Sequence, residues 1–335
     1  MKIKRDMSSM SIRPSTIIID ISGRCNLQCP LCPQGVGLSG HEQPVKYMSF
    51  KDFVTIFEKI KSYAKIITLH NWAEPFLHPE ISQIIKFINK EAPDVFLHIS
   101  SNGVILYEER IKKLSGAKID FLEISISGLT QDVYEKYHKS GQIKKVLNNV
   151  GLLLRNKDLE IKKLSIKYLQ FDYNISSYFS IKNEILKRLG IEKFPPFVEL
   201  NIIPGYITAA VSGYENKYPV ELEKHKVKKI PMADTCNYPF EQLVIRSDGE
   251  VFPCCVVPYD QNYSVGNLLT TEYDEIFTGE KYVDFRKSFI NGTNPTCNSC
   301  YLITKWYPDL PLDRQFVKVA NRLTNKFLGL KRRLS

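Results

Sequence analysis

Short apolar runs alternate along the first two-thirds of the chain with longer segments whose apolar residues recur at helical spacing. β-Branched and aromatic residues dominate the short runs, which is typical of strands. The six runs are TIIIDIS (16–22), IITLHNW (66–72), VFLHIS (95–100), FLEISIS (121–127), LSIKYLQF (164–171) and FVELNII (197–203). Strands separated by helices favour a parallel sheet, and nearly continuous apolar runs predict burial on both of its faces. Because a full eight-unit barrel takes about 250 residues, the pattern predicts an α/β fold with a partial (β/α)6 TIM-like barrel.

Two of the helical segments between these strands have a well-defined apolar face. Ser49 and Asp52 make a capping box at the start of the first segment. The apolar face of that helix consists of Phe50, Phe53, Val54, Phe57 and Ile60. The second helix carries Ile81, Ile84, Ile85 and Ile88 on one side.

The pattern changes after Pro204. Residues 205–235 are rich in Tyr, Pro and Lys and predict irregular structure. QLVIRSDGEVFPC then predicts a β-hairpin that turns at Asp248 and Gly249, and two short helices are expected near 272–278 and 280–290. We divide the chain into an N-terminal arm (1–14), a barrel (15–205), a small C-terminal domain (206–305) and a basic amphipathic tail (306–335).

The formal net charge of +10 is concentrated in the tail. The segment Arg314–Ser335 holds seven Lys or Arg residues and no acidic residue, so the rest of the chain is nearly balanced and nucleic acid is not an expected partner. A terminal helix docked on the barrel and a helix that contacts a membrane surface or a partner both fit this segment. Its apolar residues share one helical stripe, formed by Phe316, Val319, Ala320, Leu323, Phe327, Leu330 and Leu334.

The cysteines indicate metal binding. No segment approaches the roughly 20 apolar residues that cross a bilayer, and the N-terminal MKIKRDMSSMS lacks the apolar region of a secretion signal. We therefore expect a cytoplasmic protein with reduced thiols. Three of the eight cysteines lie near the N-terminus and five between Cys236 and Cys300. Such grouping favours metal ligands over disulfides.

The loop RCNLQCPLCPQG directly follows the first strand and spaces its cysteines as C-x3-C-x2-C. Three thiolates can hold three irons of a 4Fe-4S cluster and leave the fourth iron open to a substrate. The open iron can take the amino and carboxylate groups of a bound methionine. The alternative, a zinc knuckle, would lack a fourth ligand. We call Cys25, Cys29 and Cys32 the cysteine triad.

The triad and the segments after the next strands resemble the radical S-adenosylmethionine (radical SAM) superfamily. NWAEPFLHPE is similar to the family's glycine-glycine-glutamate-proline motif, with Trp72 and Ala73 where glycines are usual. The resemblance implies that Ala73 permits close approach to S-adenosylmethionine (AdoMet) and that Glu74 accepts a hydrogen bond from its amino group.

Two further strand ends resemble cofactor-binding positions of that family. SSNG (100–103) and SISG (125–128) follow the third and fourth strands. The resemblance makes Asn102, Ser125 and Ser127 candidates to contact the methionine carboxylate or the ribose of AdoMet. The alternative is that these residues only shape turns.

The later cysteines resemble the twitch domain, a shortened form of the SPASM extension that holds one auxiliary 4Fe-4S cluster. The implied ligands are Cys236, Cys254, Cys297 and Cys300, which we call the cysteine quartet. Two clusters per chain are thus expected. Cys255 is expected to be a small buried residue, with Cys254 favoured as the ligand. A structural zinc site is the alternative for the quartet.

The family resemblance implies a radical enzyme. Such enzymes cleave AdoMet to methionine and a 5′-deoxyadenosyl radical, which takes a hydrogen atom from the substrate. The substrate is expected to be a carbohydrate or cyclitol, or a peptide, and the auxiliary cluster suggests a net oxidation. A reductant such as flavodoxin or ferredoxin is the expected protein partner. Two other classes remain open, namely a zinc-binding nucleic-acid module and a non-catalytic iron–sulfur sensor.

Overall fold

The structure is a computed structural model that describes residues 7–30, 32–37, 47–204, 206–210, 228–231, 236–298 and 300–304. Its strands are β1 (Thr16–Ile19), β2 (Ile66–Thr68), β3 (Phe96–Ser101), β4 (Lys118–Ile119), β5 (Phe121–Ile126), β6 (Glu160–Ile161), β7 (Leu164–Gln170), β8 (Val198–Pro204), β9 (Tyr206–Ala210), β10 (Lys228–Pro231), β11 (Gln242–Ile245), β12 (Glu250–Phe252), β13 (Gly266–Asn267) and β14 (Tyr301–Thr304). Its α-helices are α1 (Phe50–Ile60), α2 (Ile81–Glu91), α3 (Glu108–Lys113), α4 (Gln131–Glu135), α5 (Ile143–Arg155), α6 (Tyr178–Leu189), α7 (Tyr238–Glu241), α8 (Tyr273–Thr278), α9 (Glu280–Ile290) and α10 (Pro295–Asn298).

Six parallel strands form the centre of a nine-stranded sheet. They lie in the order β1-β2-β3-β5-β7-β8, and each is one of the six predicted runs. Helices follow the strands as crossover connections, so the predicted α/β fold and its parallel sheet are confirmed.

The main hydrophobic core lies between the sheet and the helices. The Ser49 side chain caps α1 by accepting the Asp52 N–H at 3.0 Å, as predicted. Phe53 and Phe57 of α1 are fully buried, and Phe57 meets Phe87 of α2 edge to face with ring centroids 5.3 Å apart. Complete burial of one such side chain stabilises the fold by about 1.5–3 kcal/mol.

The face of the sheet opposite the helices is largely buried on the central strands, as predicted, but it carries polar side chains. Successive side chains of a strand point to opposite faces. On β3, for example, Leu97 and Ile99 are in the core, whereas His98 and Ser100 alternate with them and are half-buried. We call this polar side the inner face; it includes His70, His98, Ser100, Glu123, Ser125, Lys167 and Asn201.

Part of the C-terminal domain continues the barrel sheet. β11 pairs in parallel with β1, and β12 and β13 follow as antiparallel strands. The hairpin turns at Asp248 and Gly249, as predicted, and Gly249 has the positive φ of 84° that favours glycine. Helices α8 and α9 confirm the two predicted helices, and α9 ends before Asn291.

The prediction of irregular structure over 205–235 is wrong in two places. β9 and β10 pair with β14 in a three-stranded antiparallel sheet ordered β10-β14-β9. These partners lie far apart in sequence, so local composition did not reveal them. The tail (306–335) with its predicted stripe lies outside the described residues, as do residues 1–6 of the arm. Among the described helices, none is both long enough and apolar enough to span a bilayer.

Candidate active site

The triad loop leaves the carboxyl end of β1 and folds back on itself. Cys32 N–H donates to the Cys29 carbonyl at 3.1 Å. Gly35 packs so tightly against this turn that a Cβ atom there would lie 2.3 Å from the Cys29 carbonyl oxygen. Gln28 N–H donates to the Lys139 carbonyl at 3.2 Å, which docks the loop on the segment after α4. Backbone contacts therefore fix where the three thiols lie.

Burial dominates the electrostatics of the triad. It raises the pKa of Cys25 to about 12, with a further contribution from the charge of Glu74. It also raises the pKa of Cys29, and the charges of Cys32 and Cys25 add to the effect. Buried thiolates that repel one another are unfavourable unless a cation neutralises them, and iron of a 4Fe-4S cluster does so. The donor set therefore fits such a cluster.

Glu74 lies beside the triad at the end of the loop after β2. It is buried, and its carboxylate accepts hydrogen bonds from the Ser101 hydroxyl at 2.8 Å and from Asn102 N–H at 2.9 Å. Its own N–H donates to the Arg24 carbonyl at 2.9 Å. Burial raises the pKa of Glu74 to about 7. Glu74 thus links the cysteine loop to the ends of β2 and β3.

Asn102 makes the contact between β3 and the triad. Its side-chain amide approaches Cys25 Sγ at 3.9 Å and donates to Asn26 Oδ1 at 2.9 Å. The next residue, Gly103, has a φ of 71°, and its carbonyl accepts from Asn149 at 2.8 Å. The structure therefore brings the triad, Glu74 and Asn102 together at the carboxyl end of the sheet.

The two predicted serines have different surroundings. Ser125 is half-buried on the inner face, beside Lys167 in the β5–β7 register. Ser127 is fully buried; its hydroxyl lies 3.0 Å from the Tyr134 carbonyl and 2.6 Å from His138 Nδ1. The Ser127 hydroxyl is therefore already hydrogen-bonded within the protein, whereas the Ser125 side chain has no such pair of partners among the described residues. A contact of either residue with AdoMet stays a prediction.

Asp20 is a site residue that the sequence analysis missed. It is buried at the end of β1, and its carboxylate accepts the N–H groups of Asn71 at 3.3 Å and Trp72 at 3.1 Å. Ala73 N–H also bonds to it. Burial raises the pKa of Asp20 to about 6. Asp20 thus positions the loop that carries Ala73 and Glu74. The available signal was a single acidic residue within the apolar run TIIIDIS.

Two of the four quartet cysteines, Cys254 and Cys300, lie at a second apolar cluster. That cluster contains Cys254, and Cys32, Cys255 and Cys300 pack against it. Burial raises the pKa of Cys300 to about 12, and the charge of Cys254 adds to this. The remaining members of this apolar cluster are Ile18, Trp72, Val244, Phe252, Val256, Val257 and Tyr259. One apolar cluster therefore adjoins both a triad thiol and two quartet thiols.

The other later cysteines are less enclosed. Cys236 and Cys297 are half-buried, and Cys300 N–H donates to the Cys297 carbonyl at 3.2 Å. Cys254 is buried and Cys255 half-buried, the reverse of the expected burial of Cys255. No disulfide joins any of the eight cysteines. Among the residues that the structure describes, no three Cys, His, Asp or Glu side chains lie close enough together to bind a single metal ion. A 4Fe-4S cluster does not need such a group, because each of its thiolate ligands binds a different iron.

Two family models match the chain. The radical SAM superfamily model matches residues 19–161, and the SPASM model, described as an iron–sulfur cluster-binding domain, matches residues 236–301. The first match contains the triad and Glu74, and the second contains the quartet.

Relatives and solved structures extend the match over most of the chain. A tungsten-containing aldehyde ferredoxin oxidoreductase cofactor-modifying protein of Pyrococcus furiosus is 25% identical over 324 residues, covering 85% of this chain and 87% of that protein. The structure of SuiB from Streptococcus suis, bound to precursor peptide SuiA, has a TM-score of 0.60 at 14% identity and covers 87% of this chain and 73% of its own. The structure of BtrN in complex with AdoMet and 2-DOIA has a TM-score of 0.51 at 17% identity. The match covers 86% of this chain and 92% of the BtrN chain. These two structures share the fold of this chain.

Proposed function

Since this chain belongs to the radical SAM superfamily of enzymes and carries an iron–sulfur SPASM domain, we propose that it oxidises a polar substrate held on the inner face of its barrel. The observation that carries the proposal is the convergence of the triad, Glu74 and Asn102 at the carboxyl end of the sheet. Parallel α/β folds place their chemistry at that end.

The triad would hold the first 4Fe-4S cluster, and its three thiolates leave one iron for AdoMet. When reduced by a protein such as flavodoxin or ferredoxin, the cluster supplies the electron that splits AdoMet into methionine and a 5′-deoxyadenosyl radical. The protein residues position the cofactor and exclude water from it. Ala73, Ser125 and Ser127 complete the proposed AdoMet contacts.

Glu74 would receive the amino group of AdoMet. An ionised carboxylate has about four acceptor positions. Two protein donors reach Glu74 from β3 and a third, Phe76 N–H, lies 3.2 Å away. Capacity for one more donor therefore remains. An ammonium group beside this buried carboxylate would favour its ionised form, since opposite charges stabilise each other.

The inner face favours a hydroxylated substrate over an apolar one. Glu123 and Lys167 form an ion pair there, and the Ser100 hydroxyl donates to Glu123 at 3.2 Å. His70 and His98 adjoin this pair, and burial lowers the pKa of both, so they are neutral near pH 7. Such a mixture of donors and acceptors suits the hydroxyl groups of a carbohydrate or cyclitol. A peptide is the alternative substrate.

The quartet would hold the auxiliary cluster and receive the second electron. After one hydrogen atom leaves the substrate for the 5′-deoxyadenosyl radical, loss of one electron and one proton completes a two-electron oxidation. Four thiolates leave no open iron, so this cluster suits electron transfer. Cys32 and Cys300 both pack against one apolar cluster, which would connect the two proposed metal sites.

Hydrogen transfer tests the proposal. Anaerobically reconstituted protein, a chemical reductant and AdoMet are mixed with carbon-deuterated glucose, carbon-deuterated myo-inositol or a deuterated peptide digest. We expect deuterium in 5′-deoxyadenosine from the hydroxylated compounds, and a product lighter by two hydrogens. A triad variant with three alanines is the control. Transfer from the peptides alone would contradict the substrate class, and absence of AdoMet cleavage would contradict the enzyme assignment.

A further inference from the structure

Tyr134 of α4 carries a buried hydroxyl that the proposed function does not use. The residue is 0% exposed. Its hydroxyl oxygen is inaccessible to solvent and has no hydrogen-bond partner among the residues that the structure describes. A buried polar group without a partner is unfavourable, and phenylalanine would fill the same space without that cost. The hydroxyl therefore points to a partner outside the described residues, and a group bound by the neighbouring triad would supply one.

The surroundings hold the Tyr134 ring in place. The ring stacks on His138 with centroids 4.8 Å apart and an interplanar angle of 16°. A Cβ atom at Gly141 would lie 2.8 Å from Tyr134 Cε1 and 3.0 Å from its hydroxyl oxygen, so only glycine leaves room for the phenol. The Tyr134 carbonyl accepts the Ser127 hydroxyl at 3.0 Å. These contacts fix the orientation of the Tyr134 side chain and therefore the position of its hydroxyl.

The triad loop packs against the segment that runs from Tyr134 to Lys139. Burial raises the pKa of Tyr134, and the charges of Cys29, Glu74 and Cys25 raise it further, in that order. The docking of Gln28 on Lys139 brings the same loop against the segment after α4. The docking of the loop and these charges both place Tyr134 beside the triad.

We propose that the Tyr134 hydroxyl donates a hydrogen bond to sulfur of the triad's 4Fe-4S cluster, on the Cys29 side, and raises the reduction potential of that cluster. The inference rests on the proposed function, because it needs the triad to hold a cluster. Reduction adds negative charge to the sulfurs, so a fixed donor stabilises the reduced state more than the oxidised state. Hydrogen bonds to the sulfurs are among the factors that set such potentials.

A redox titration of Tyr134→Phe tests the proposal. The substitution keeps the ring and its stacking on His138 and removes only the hydroxyl. Electron paramagnetic resonance follows reduction of the triad cluster in protein whose quartet cysteines are replaced by alanine, so that one cluster is observed. We expect a tenfold shift of the reduction equilibrium toward the oxidised cluster, which is about 59 mV for one electron. Tyr137→Phe, in the same segment, is the matched control and should leave the potential unchanged.

The outcomes separate this inference from the proposed function. An unchanged potential in a fully loaded Tyr134→Phe protein would overturn the hydrogen bond to the cluster and leave the proposed function standing. An unchanged potential with weaker AdoMet binding would overturn it as well, and would assign the hydroxyl to AdoMet. Should the Phe variant lose iron, Tyr134→Leu and circular dichroism distinguish misfolding from loss of the donor: a folded, loaded Leu variant must show the lower potential. A wild-type triad without a cluster would overturn both proposals.

Discussion

The Tyr259 hydroxyl donates a hydrogen bond of 3.1 Å to Asp20 Oδ2 across 239 positions of sequence. Tyr259 also accepts from the Asn71 side chain at 2.7 Å. The Asp20 carboxylate in turn holds the backbone of Asn71 and Trp72. One buried side chain therefore joins the first barrel strand, the loop that carries Glu74 and the C-terminal domain.

Asp20→Asn should weaken both the fold and AdoMet binding. Asparagine offers one acceptor oxygen where the carboxylate offers two, so at least one buried donor loses its partner. We expect the free energy of unfolding to fall by about 1–3 kcal/mol, because an unsatisfied buried group costs that much. Denaturant titration measures the stability, and calorimetry on cluster-loaded protein measures AdoMet affinity.

Tyr259→Phe is the matched control for Asp20. It removes one donor to Asp20 and one acceptor of Asn71, whose side chain still reaches the Cys255 carbonyl at 3.4 Å. The stability loss should therefore be smaller, and the loop should keep its bonds to Asp20. An Asp20→Asn protein with wild-type stability and wild-type AdoMet affinity would contradict the positioning role.

The affinity for AdoMet should depend on pH through Glu74. Burial raises the pKa of this carboxyl to about 7, so it becomes protonated as the pH falls through that value. Only the ionised form makes a charge-assisted hydrogen bond with an ammonium group. Affinity should therefore rise as the pH increases through about 7 and level off above it. Binding titrations at several pH values measure the profile.

Glu74→Gln should bind AdoMet more weakly above neutral pH, by about 1.5–3 kcal/mol, the range for a hydrogen bond to a charged group. Its profile should be flat near pH 7 in the region where the wild type rises. If AdoMet affinity of the Gln variant depends on pH as in wild type, Glu74 does not bind AdoMet.

The Glu123–Lys167 pair should matter for the substrate and not for AdoMet. Lys167→Met leaves the Glu123 carboxylate without its cation, and breaking one side of a buried pair costs about 3–5 kcal/mol. Glu123→Gln with Lys167→Met removes both charges and should regain much of that stability. The double variant should still cleave AdoMet without substrate, but transfer of deuterium from substrate should fall. If the double variant transfers as much deuterium from substrate as wild type does, the substrate binds elsewhere.

Much of the barrel follows from local sequence. The six strands and the capping of α1 by Ser49 were predictable because each depends on a few neighbouring residues. The position of the triad at the end of β1 was also predictable, since its three cysteines lie within one loop; that they bind a cluster stays a prediction. The identity of the inner face was not, because His98 and Glu123 lie within otherwise apolar runs and only the sheet shows that they face each other.

Long-range pairing accounts for the remaining errors. β9, β10 and β14 form a sheet only because three distant segments meet, and no single segment has a strong strand pattern. The bond between Asp20 and Tyr259 is equally non-local. Tyr134 gave no sequence signal, since the missing partner of its hydroxyl appears only when the packing around α4 is known.

The iron content should show two clusters. The triad and the quartet would each hold one four-iron cluster, so anaerobically reconstituted protein should contain about eight irons per chain. Replacement of the triad by alanine should lower this to about four, and so should replacement of the quartet. Iron and sulfide assays with visible spectra measure the content. Stoichiometric zinc without iron would contradict both sites.

The central claim is that the triad cluster splits AdoMet reductively, and the direct measurement is 5′-deoxyadenosine formed by reduced, cluster-loaded protein. Liquid chromatography with mass spectrometry quantifies 5′-deoxyadenosine and methionine over time, in wild type and in Cys29→Ala. Three thiolates are needed to leave a single open iron, so the variant should form neither product above background. Wild type should form both in equal amounts. A fully loaded, reduced wild-type protein that leaves AdoMet intact would contradict the account.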